Sequence, residues 1–418
     1  MLSREKLLRL SLTASASIIL ASCSAGGVAP SAVHGTVTQN GIGRLSGLRQ
    51  PDTGSSYKTL YSFEGDSSGA NPAANLLAWN GSLYGTTSCG NYYMCNGSSL
   101  IFRISPAGKE MVIYRFNGSE AAGGLITVNG DLYGVADEES GNGTVFEVNS
   151  QGHERTLYQF KGGTDGHSPQ GNLLALSGSL YGTTRTGGEY GDGTVFTLPL
   201  AGKERILHSF TGLDGANPNG SLVAIGSTLY GTTPLGGEAY CAGAYPYSTC
   251  GTVFSITSDG TFHMLYRFKA GRDAANPLAG LLVYSGDLYG TTLGGGTGSA
   301  GGCGTVFSIT PSGREDVTYR FSCKGGSAYP YANLAVNSKT FYGTTRGTSC
   351  GNSYGECGTV FSLTTSGKER KLHLFQREPD GLNPEAGLTL LRGTFYGTTA
   401  YGGSKYSNGY GTVYRIAP

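Results

Sequence analysis

The sequence predicts an all-β protein, a seven-bladed β-propeller of four-stranded antiparallel blades. The first observation is a pair of motifs, Leu-Tyr-Gly-Thr-Thr and Gly-Thr-Val-Phe, that recur in seven repeats, with the tyrosines of the first motif running from Tyr84 to Tyr396 and the last copy of the second beginning at Gly411. Their spacing of roughly 52 residues is typical of propeller blades. The second is that 71 of the 418 residues are glycine, which disfavours helices and suits short strands joined by turns. The third is that the two ends of the repeat region supply different strands of one blade.

Each repeat contains four segments rich in β-branched and aromatic residues and bounded by turn residues. In chain order they are an apolar run (strand a), the Tyr-Gly-Thr-Thr run (strand b), the Gly-Thr-Val-Phe run (strand c) and a segment with Tyr or His two residues before Phe (strand d). Pairs such as Asn80-Gly81 and Ser177-Gly178 predict tight hairpins between strands a and b. The strand b tyrosines are Tyr84, Tyr133, Tyr181, Tyr230, Tyr289, Tyr342 and Tyr396.

The ends of the repeat region predict how the ring closes. Residues 57–63 have the pattern of strand d, and residues 411–416 have the pattern of strand c. We therefore expect the amino-terminal strand to complete the last blade. Such closure removes the open sheet edges that a linear array would expose.

This compound motif resembles the GloVer tandem-repeat family, glycine-rich bacterial repeats with Leu-Tyr-Gly-Thr-Thr, then Gly-Gly, then Gly-Thr-Val-Phe. The resemblance covers residues 57–418 and implies an exported or surface-anchored protein without an assigned activity. Repeat 2 departs from the pattern with Val135-Ala136 in place of Thr-Thr, and repeat 1 has Ser99-Leu100-Ile101 in place of Gly-Thr-Val.

The amino terminus predicts export and lipidation. Arg4, Lys6 and Arg9 precede an apolar stretch that is too short for a stable membrane span. The sequence Leu20-Ala21-Ser22-Cys23 resembles the bacterial lipobox, whose cysteine is diacylated; the alternative is an ordinary cleaved signal with an incidental cysteine. We predict a lipoprotein signal peptide at residues 1–22, a lipid anchor at Cys23, a flexible tether at 23–56 and the propeller at 57–418. The predicted location is the bacterial cell envelope, membrane-anchored and facing the periplasm or the exterior.

Composition excludes several partners. The formal net charge is +1 and only 14% of residues are charged, which argues against binding nucleic acid through its phosphates. The sequence contains no H-E-x-x-H, G-x-S-x-G or P-loop motif, and its six histidines are scattered. His208 and His373 replace the tyrosine of strand d, which indicates a structural role. We expect no cofactor, no metal and a monomer.

Eight cysteines besides Cys23 favour disulfides in an exported chain. The pairs Cys89–Cys95, Cys241–Cys250 and Cys350–Cys357 each lie within one b–c loop. Cys303 lies in a b–c loop and Cys323 follows strand d of the same repeat; since both connections emerge on one face of a meander, we expect these two to pair. A zinc site, the alternative, favours C-x-x-C spacing, which is absent.

Tyrosines among small polar residues make the b–c loops a candidate ligand-binding surface for a glycan, a peptide or an envelope protein. The alternative for each ring is packing against neighbouring loops. These candidates are Tyr92, Tyr93, Tyr190, Tyr240, Tyr245, Tyr247, Tyr354, Tyr401, Tyr406 and Tyr410.

Two other functions are compatible with the sequence. An extracytoplasmic polysaccharide hydrolase or lyase could use loop carboxylates if two of them lay ~5–9.5 Å apart. The candidate carboxylates are Asp137, Glu138, Glu139, Glu189 and Asp192. The second of these functions is that of a scaffold in envelope assembly.

The repeated Tyr and Thr of strand b are assigned to blade packing, because an active site occurs once in a protein and these residues recur in the repeats. The Asp and Asn-Pro of the d–a loops, such as Asp214 and Asn217, are assigned to Asx turns and not to calcium.

Overall fold

The computed structural model describes ten segments of the chain: residues 57–65, 67–88, 99–138, 141–237, 249–296, 302–323, 327–347, 358–376, 379–403 and 409–418. The chain divides into two units, Met1–Gln50 and Pro51–Pro418, and every described residue belongs to the second. Within the described segments, no helix has the length and apolar character needed to cross a membrane.

Seven antiparallel sheets, each ordered a-b-c-d, form the blades of a β-propeller and confirm the predicted fold. The a strands are Leu77–Trp79, Ile126–Val128, His167–Leu176, Val223–Ile225, Leu282–Tyr284, Ala335–Asn337 and Thr389–Leu391. The b strands are Ser82–Thr87, Asp131–Glu138, Ser179–Thr186, Thr228–Thr233, Asp287–Thr292, Thr340–Thr345 and Thr394–Thr399. The c strands are Leu100–Ile104, Thr144–Val148, Thr194–Pro199, Thr252–Thr257, Thr305–Ile309, Thr359–Thr364 and Thr412–Ile416. The d strands are Glu110–Arg115, Glu154–Gln159, Arg205–Ser209, Phe262–Arg267, Glu315–Arg320, Glu369–Leu374 and Lys58–Ser62.

Short additional elements extend some blades towards one face. Ser119–Ala121 pairs with strand b of blade 2, and Ala274–Ala275 pairs with Gly294–Gly295 beside blade 5. A 3-10 turn at Gly163–Asp165 precedes blade 3. These elements all lie in the b–c and d–a connections, which emerge on the face that we call the loop face.

The ring closes as predicted. Lys58–Ser62 pairs antiparallel with Thr412–Ile416, and Lys58 lies opposite Arg415. Blade 7 therefore takes strands a, b and c from the carboxyl end of the chain and strand d from its amino end.

Neighbouring blades are joined by aromatic pairs in the core. The phenylalanine after strand d packs edge to face on the strand c aromatic of the next blade, as Phe210 does on Phe254 with ring centroids 5.2 Å apart. The same contact recurs around the whole ring. The strand b glycine makes room for the ring, because a Cβ on Gly231 would lie 2.5 Å from Phe254 Cζ. Gly231 and Phe254 belong to the same sheet, so the glycine accommodates a side chain of the neighbouring strand.

The two threonines of strand b have different partners. The first reaches the next blade: Thr232 Oγ1 donates to the Ala279 carbonyl at 2.8 Å, and Thr86, Thr291 and Thr344 do the equivalent. The second joins strands b and c within a blade, as between Thr233 and Thr252 hydroxyls at 2.8 Å. The repeated threonines are thus structural, as predicted.

The d–a loop aspartates accept hydrogen bonds from strand d. Tyr158 donates to Asp165 at 2.7 Å, and His208 Nε2 lies 3.0 Å from Asp214 Oδ2. His208 also stacks on Phe262 of the next blade at 3.7 Å. Burial lowers the pKa of His208, and the Asp214 carboxylate opposes that shift. His208 therefore has a structural role like the tyrosines that it replaces.

One predicted disulfide lies entirely within the described residues. Cys303 and Cys323 are bonded, with Cα atoms 5.3 Å apart, which confirms that the b–c and d–a connections of blade 5 meet. Cys250 is buried and disulfide-bonded. The remaining cysteines, Cys23, Cys89, Cys95, Cys241, Cys350 and Cys357, lie outside the described residues.

Candidate functional site

An axial cavity of about 350 Å³ opens among the segments that lead into the seven a strands. Every blade contributes to it, and strand b ends such as Thr86 and Arg185 also line it. Because it lies where d–a connections enter strand a and where strand b ends, the cavity belongs to the loop face. We call it the axial cavity below.

The lining of the axial cavity is polar and mostly uncharged. Six carboxamides line it together with Tyr331 and several serines, alanines and glycines. The carboxamides are Asn71, Asn75, Asn172, Asn219, Asn333 and Gln170. Among the described lining residues, the charged side chains are Arg185 and Glu385.

Four hydrogen bonds between neighbouring blades lie around the cavity, and we call this set the ring. They use the residue immediately before the buried leucine that leads into strand a, which is Asn, Ser or Gly. Where the next blade has Asn or Ser at this position, the backbone N–H donates to that side chain. The bonds are Gly124 to Asn172 Oδ1 (2.9 Å), Asn172 to Ser221 Oγ (2.8 Å), Gly280 to Asn333 Oδ1 (2.8 Å) and Gly387 to Asn75 Oδ1 (2.6 Å).

Glycines bring the blade backbones close together around this ring. A Cβ on Gly220 would lie 2.6 Å from the Gly280 nitrogen, and a Cβ on Gly387 would lie 2.7 Å from the Asn333 carbonyl oxygen. The close approach places the side chains of the ring at a fixed spacing on rigid strands, which suits a binding site.

The two charged lining residues have different surroundings. Glu385 forms an ion pair with Arg346 at 3.5 Å. Arg185 has its backbone carbonyl bound by Asn217 Nδ2 at 2.9 Å, whereas its guanidinium has no hydrogen bond or ion pair with any described residue. Ser88, at the rim, donates to Glu120 at 2.8 Å.

The predicted tyrosines contribute little to this cavity. Tyr190 is 58% exposed on the b–c loop of blade 3, away from the cavity lining. Tyr401 and Tyr410 are partly buried and pack against core clusters, which is the packing alternative stated for such rings. Tyr92, Tyr93, Tyr240, Tyr245, Tyr247, Tyr354 and Tyr406 lie outside the described residues.

The candidate catalytic carboxylates also lie away from the cavity. Asp137 and Glu138 end strand b of blade 2, and Glu189 and Asp192 lie in the b–c loop of blade 3; none lines the cavity. Burial, followed by the nearby Asp214 carboxylate, raises the pKa of Asp192. Glu139 lies outside the described residues.

The asparagine ring and Arg185 were not among the residues that the sequence singled out. The sequence does contain a signal for the ring. Asn75, Asn172 and Asn333 each precede the leucine that leads into strand a, and the other four repeats have Gly or Ser at this position. An exchange of Asn, Ser and Gly at a position that faces the axial cavity indicates polar contacts between blades. Only the fold shows that the position faces the axis.

Fold and site together define a closed seven-bladed propeller with a polar cavity on its axis. The chain belongs to the Gloeobacter/Verrucomicrobia repeat family, whose model matches residues 28–246 and 242–418. This confirms the repeat family that the motifs resembled. Among curated proteins, none matches the sequence.

Several solved structures are similar to this chain at low sequence identity. A gluconolactonase from Xanthomonas campestris is 14% identical over 68% of this chain and 85% of its own, with a TM-score of 0.42. A luciferin-regenerating enzyme is 10% identical over 87% of this chain and 96% of its own, with a TM-score of 0.44. The GH74 enzyme of Niastella koreensis is 14% identical over 76% of this chain, which spans 47% of that enzyme, with a TM-score of 0.47. At these values the similarities carry no argument about activity.

Proposed function

We propose that the protein is an extracytoplasmic binding propeller that recognises a glycan in the axial cavity. The observation that carries the proposal is the lining, in which six carboxamides and Tyr331 converge from several blades. Carboxamides donate to and accept from sugar hydroxyls, and an aromatic ring can stack on a sugar face. The volume of about 350 Å³ lies in the range of small-molecule sites, ~300–1,000 Å³.

Binding without hydrolysis is the better interpretation of this lining. Glycoside hydrolysis ordinarily uses two carboxyl groups that flank the scissile bond. Among the described lining residues, Glu385 is the single carboxylate, and it is paired with Arg346. A paired carboxylate without a second one across the cavity is poorly suited to general acid catalysis.

We further propose that Cys23 is a diacylated anchor that holds the propeller at a membrane in the cell envelope. The support is the lipobox-like sequence ending in Cys23. In a bacterial host, Cys23→Ser should move the protein from the membrane fraction to the soluble fraction, whereas Ser24→Ala should leave it in the membrane. Retention of the Cys23→Ser protein in the membrane would contradict lipidation.

The test of binding uses residues 24–418, produced under oxidising conditions and screened against a glycan panel with reducing-end release measured in the same wells. Two variants probe the axial cavity: Gln170→Ala removes a lining amide, and Ala73→Trp fills the cavity from an exposed position. Each should weaken binding at least tenfold. Tyr190→Ala, exposed outside the cavity, is the matched control and should bind like the parent.

Three outcomes would contradict the proposal. Unchanged binding by both cavity variants would place the site elsewhere on the protein. Release of reducing ends would make the protein an enzyme. Failure of the whole panel to bind would exclude the glycans tested and shift attention to a protein partner.

A further inference from the structure

We infer that the axial cavity selects a sugar that carries a carboxylate, a uronate, with Arg185 as the group that binds the anion. The inference rests on the proposed glycan-binding function and assigns its ligand class. Two independent observations support it: the donors left free by the ring between blades, and the guanidinium of Arg185, which has no hydrogen bond or ion pair with any described residue.

The ring leaves hydrogen-bond donors, not acceptors, available to a ligand. A backbone N–H can only donate, so Asn172 and Asn333 must each turn Oδ1 towards the preceding blade. The Nδ2 groups of these side chains have no hydrogen bond with any described residue. Ser221 likewise accepts through Oγ from the Asn172 N–H and retains its hydroxyl hydrogen. These side chains line the cavity with N–H and O–H groups.

The repeats show which carboxylate Arg185 lacks among the described residues. The residue after the Tyr-Gly-Thr-Thr motif is arginine twice, Arg185 in blade 3 and Arg346 in blade 6. Arg346 pairs with Glu385, which follows the Asn-Pro of the next blade. The residue at that position after blade 3 is Asn219, which carries no charge. Arg185 thus occupies the same position in its repeat as Arg346, but the position that corresponds to Glu385 has no carboxylate.

The other charged side chain of the described lining, Glu385, is ion-paired with Arg346. Glu120 lies outside that lining and accepts a hydrogen bond from Ser88, which leaves the charge of Glu120 in place. One uncompensated guanidinium matches one carboxylate, which it can bind through two parallel hydrogen bonds. The free amide donors suit the remaining carboxylate and ring oxygens. A uronate supplies one carboxylate together with several hydroxyl acceptors, so it fits this set of donors.

The experiment compares oligogalacturonate and oligoglucuronate with their methyl esters, which keep the sugar ring and its hydroxyls but replace the charged carboxylate with a neutral group one methyl larger. Binding to residues 24–418 is measured by calorimetry at low and high salt. The acid forms should bind at least tenfold more tightly than the esters at low salt, and salt should reduce this preference. Arg185→Gln should abolish the preference while leaving the melting temperature unchanged, because the side chain is exposed.

A second variant tests the comparison between Arg185 and the paired Arg346. Asn219→Glu supplies the carboxylate that Glu385 supplies to Arg346, and it should also abolish the preference for the acid. Asn219→Gln is the neutral control and should retain that preference. Equal binding of acid and ester, or a preference that survives Arg185→Gln, would overturn the inference.

The two proposals fail in different ways. If neutral glycans of the panel bind in the axial cavity and the acids gain nothing, the binding function stands and the uronate assignment is wrong. If neither the acids, the esters nor the neutral glycans bind, both are wrong.

Discussion

At the scale of single residues, partly buried glutamates join neighbouring blades at their outer strands. Glu204 lies beside Tyr158 of the preceding blade, whose hydroxyl donates to Asp165. Burial, followed by repulsion from the Asp165 carboxylate, raises the pKa of Glu204 to about 7. Burial and the Asp273 carboxylate likewise raise the pKa of Glu315 to about 7 beside Tyr266. In the folded protein these two carboxyl groups are therefore mostly neutral below about pH 7 and ionise above it.

These glutamates predict a pH dependence of stability. Their pKa is raised on folding, so the folded state binds more protons than the unfolded state between about pH 4.5 and pH 7, and stability falls as the pH rises through that window. Glu204→Gln and Glu315→Gln should each remove this loss. Since both groups are partly exposed, we expect a gain of about 1 kcal/mol each at pH 8.

The measurement is the melting temperature of parent and variants from pH 4.5 to pH 8. Glu189→Gln, on an exposed loop, removes the same formal charge and should leave the slope of the profile unchanged. A stability difference between the glutamine variants and the parent that does not change with pH would contradict the account.

At the scale of strands, the b strands of blades 1, 4, 5 and 6 are held by threonine hydrogen bonds on both sides. The first threonine of the motif bonds to the next blade, and the second bonds to strand c of its own blade. In blades 3 and 7, Thr183 Oγ1 and Thr398 Oγ1 are buried and have no hydrogen-bond partner among the described residues, and blade 2 has Val135 at this position. The first threonine of the motif therefore occurs in similar surroundings both with and without a hydrogen bond to the next blade.

This contrast allows a matched pair of substitutions. Thr232→Val removes a buried hydrogen bond and leaves the Ala279 carbonyl unpaired, so it should destabilise the protein by about 1–3 kcal/mol. Thr183→Val replaces a buried hydroxyl that has no hydrogen-bond partner among the described residues and should be neutral or stabilising. Denaturant unfolding of the two variants under the same conditions checks both expectations. Equal destabilisation would show that the bond between blades has no special contribution.

The strands were predictable and the site was not, for a physical reason. Strand identity depends on local patterns, and Tyr-Gly-Thr-Thr and Gly-Thr-Val-Phe repeat often enough to fix both the number and the order of strands. The Cys303–Cys323 bond followed from that order. The cavity depends on which single positions meet at the axis. Asn172 and Ser221 are 49 residues apart in the chain, and only the ring geometry shows that they are bonded.

At the scale of the whole molecule, closure of the ring depends on a short amino-terminal strand. Lys58–Ser62 covers the outer edge of Thr412–Ile416, and Phe63 is fully buried against Phe102 of blade 1. Removing this segment would leave an open sheet edge and an unfilled site in the core, both of which favour aggregation.

Truncation tests the closure directly. A chain beginning at Tyr57 should remain folded and monomeric, because it retains the closing strand. A chain beginning at Glu64 should lose solubility or melt at a much lower temperature. Size-exclusion chromatography and thermal unfolding distinguish the two. Equal stability of both chains would contradict the role of Lys58–Ser62 in closing the ring.

The central claim is that the axial cavity is the ligand site, and hydrogen–deuterium exchange tests it most directly. Residues 24–418 would be compared with and without the tightest-binding saccharide of the panel. The account predicts that protection concentrates in the segments entering the a strands, such as residues 73–75, 170–172, 219–221 and 331–333, which line the cavity. Protection confined to the outer loops around Tyr190, or to the turns between strands c and d, would contradict it.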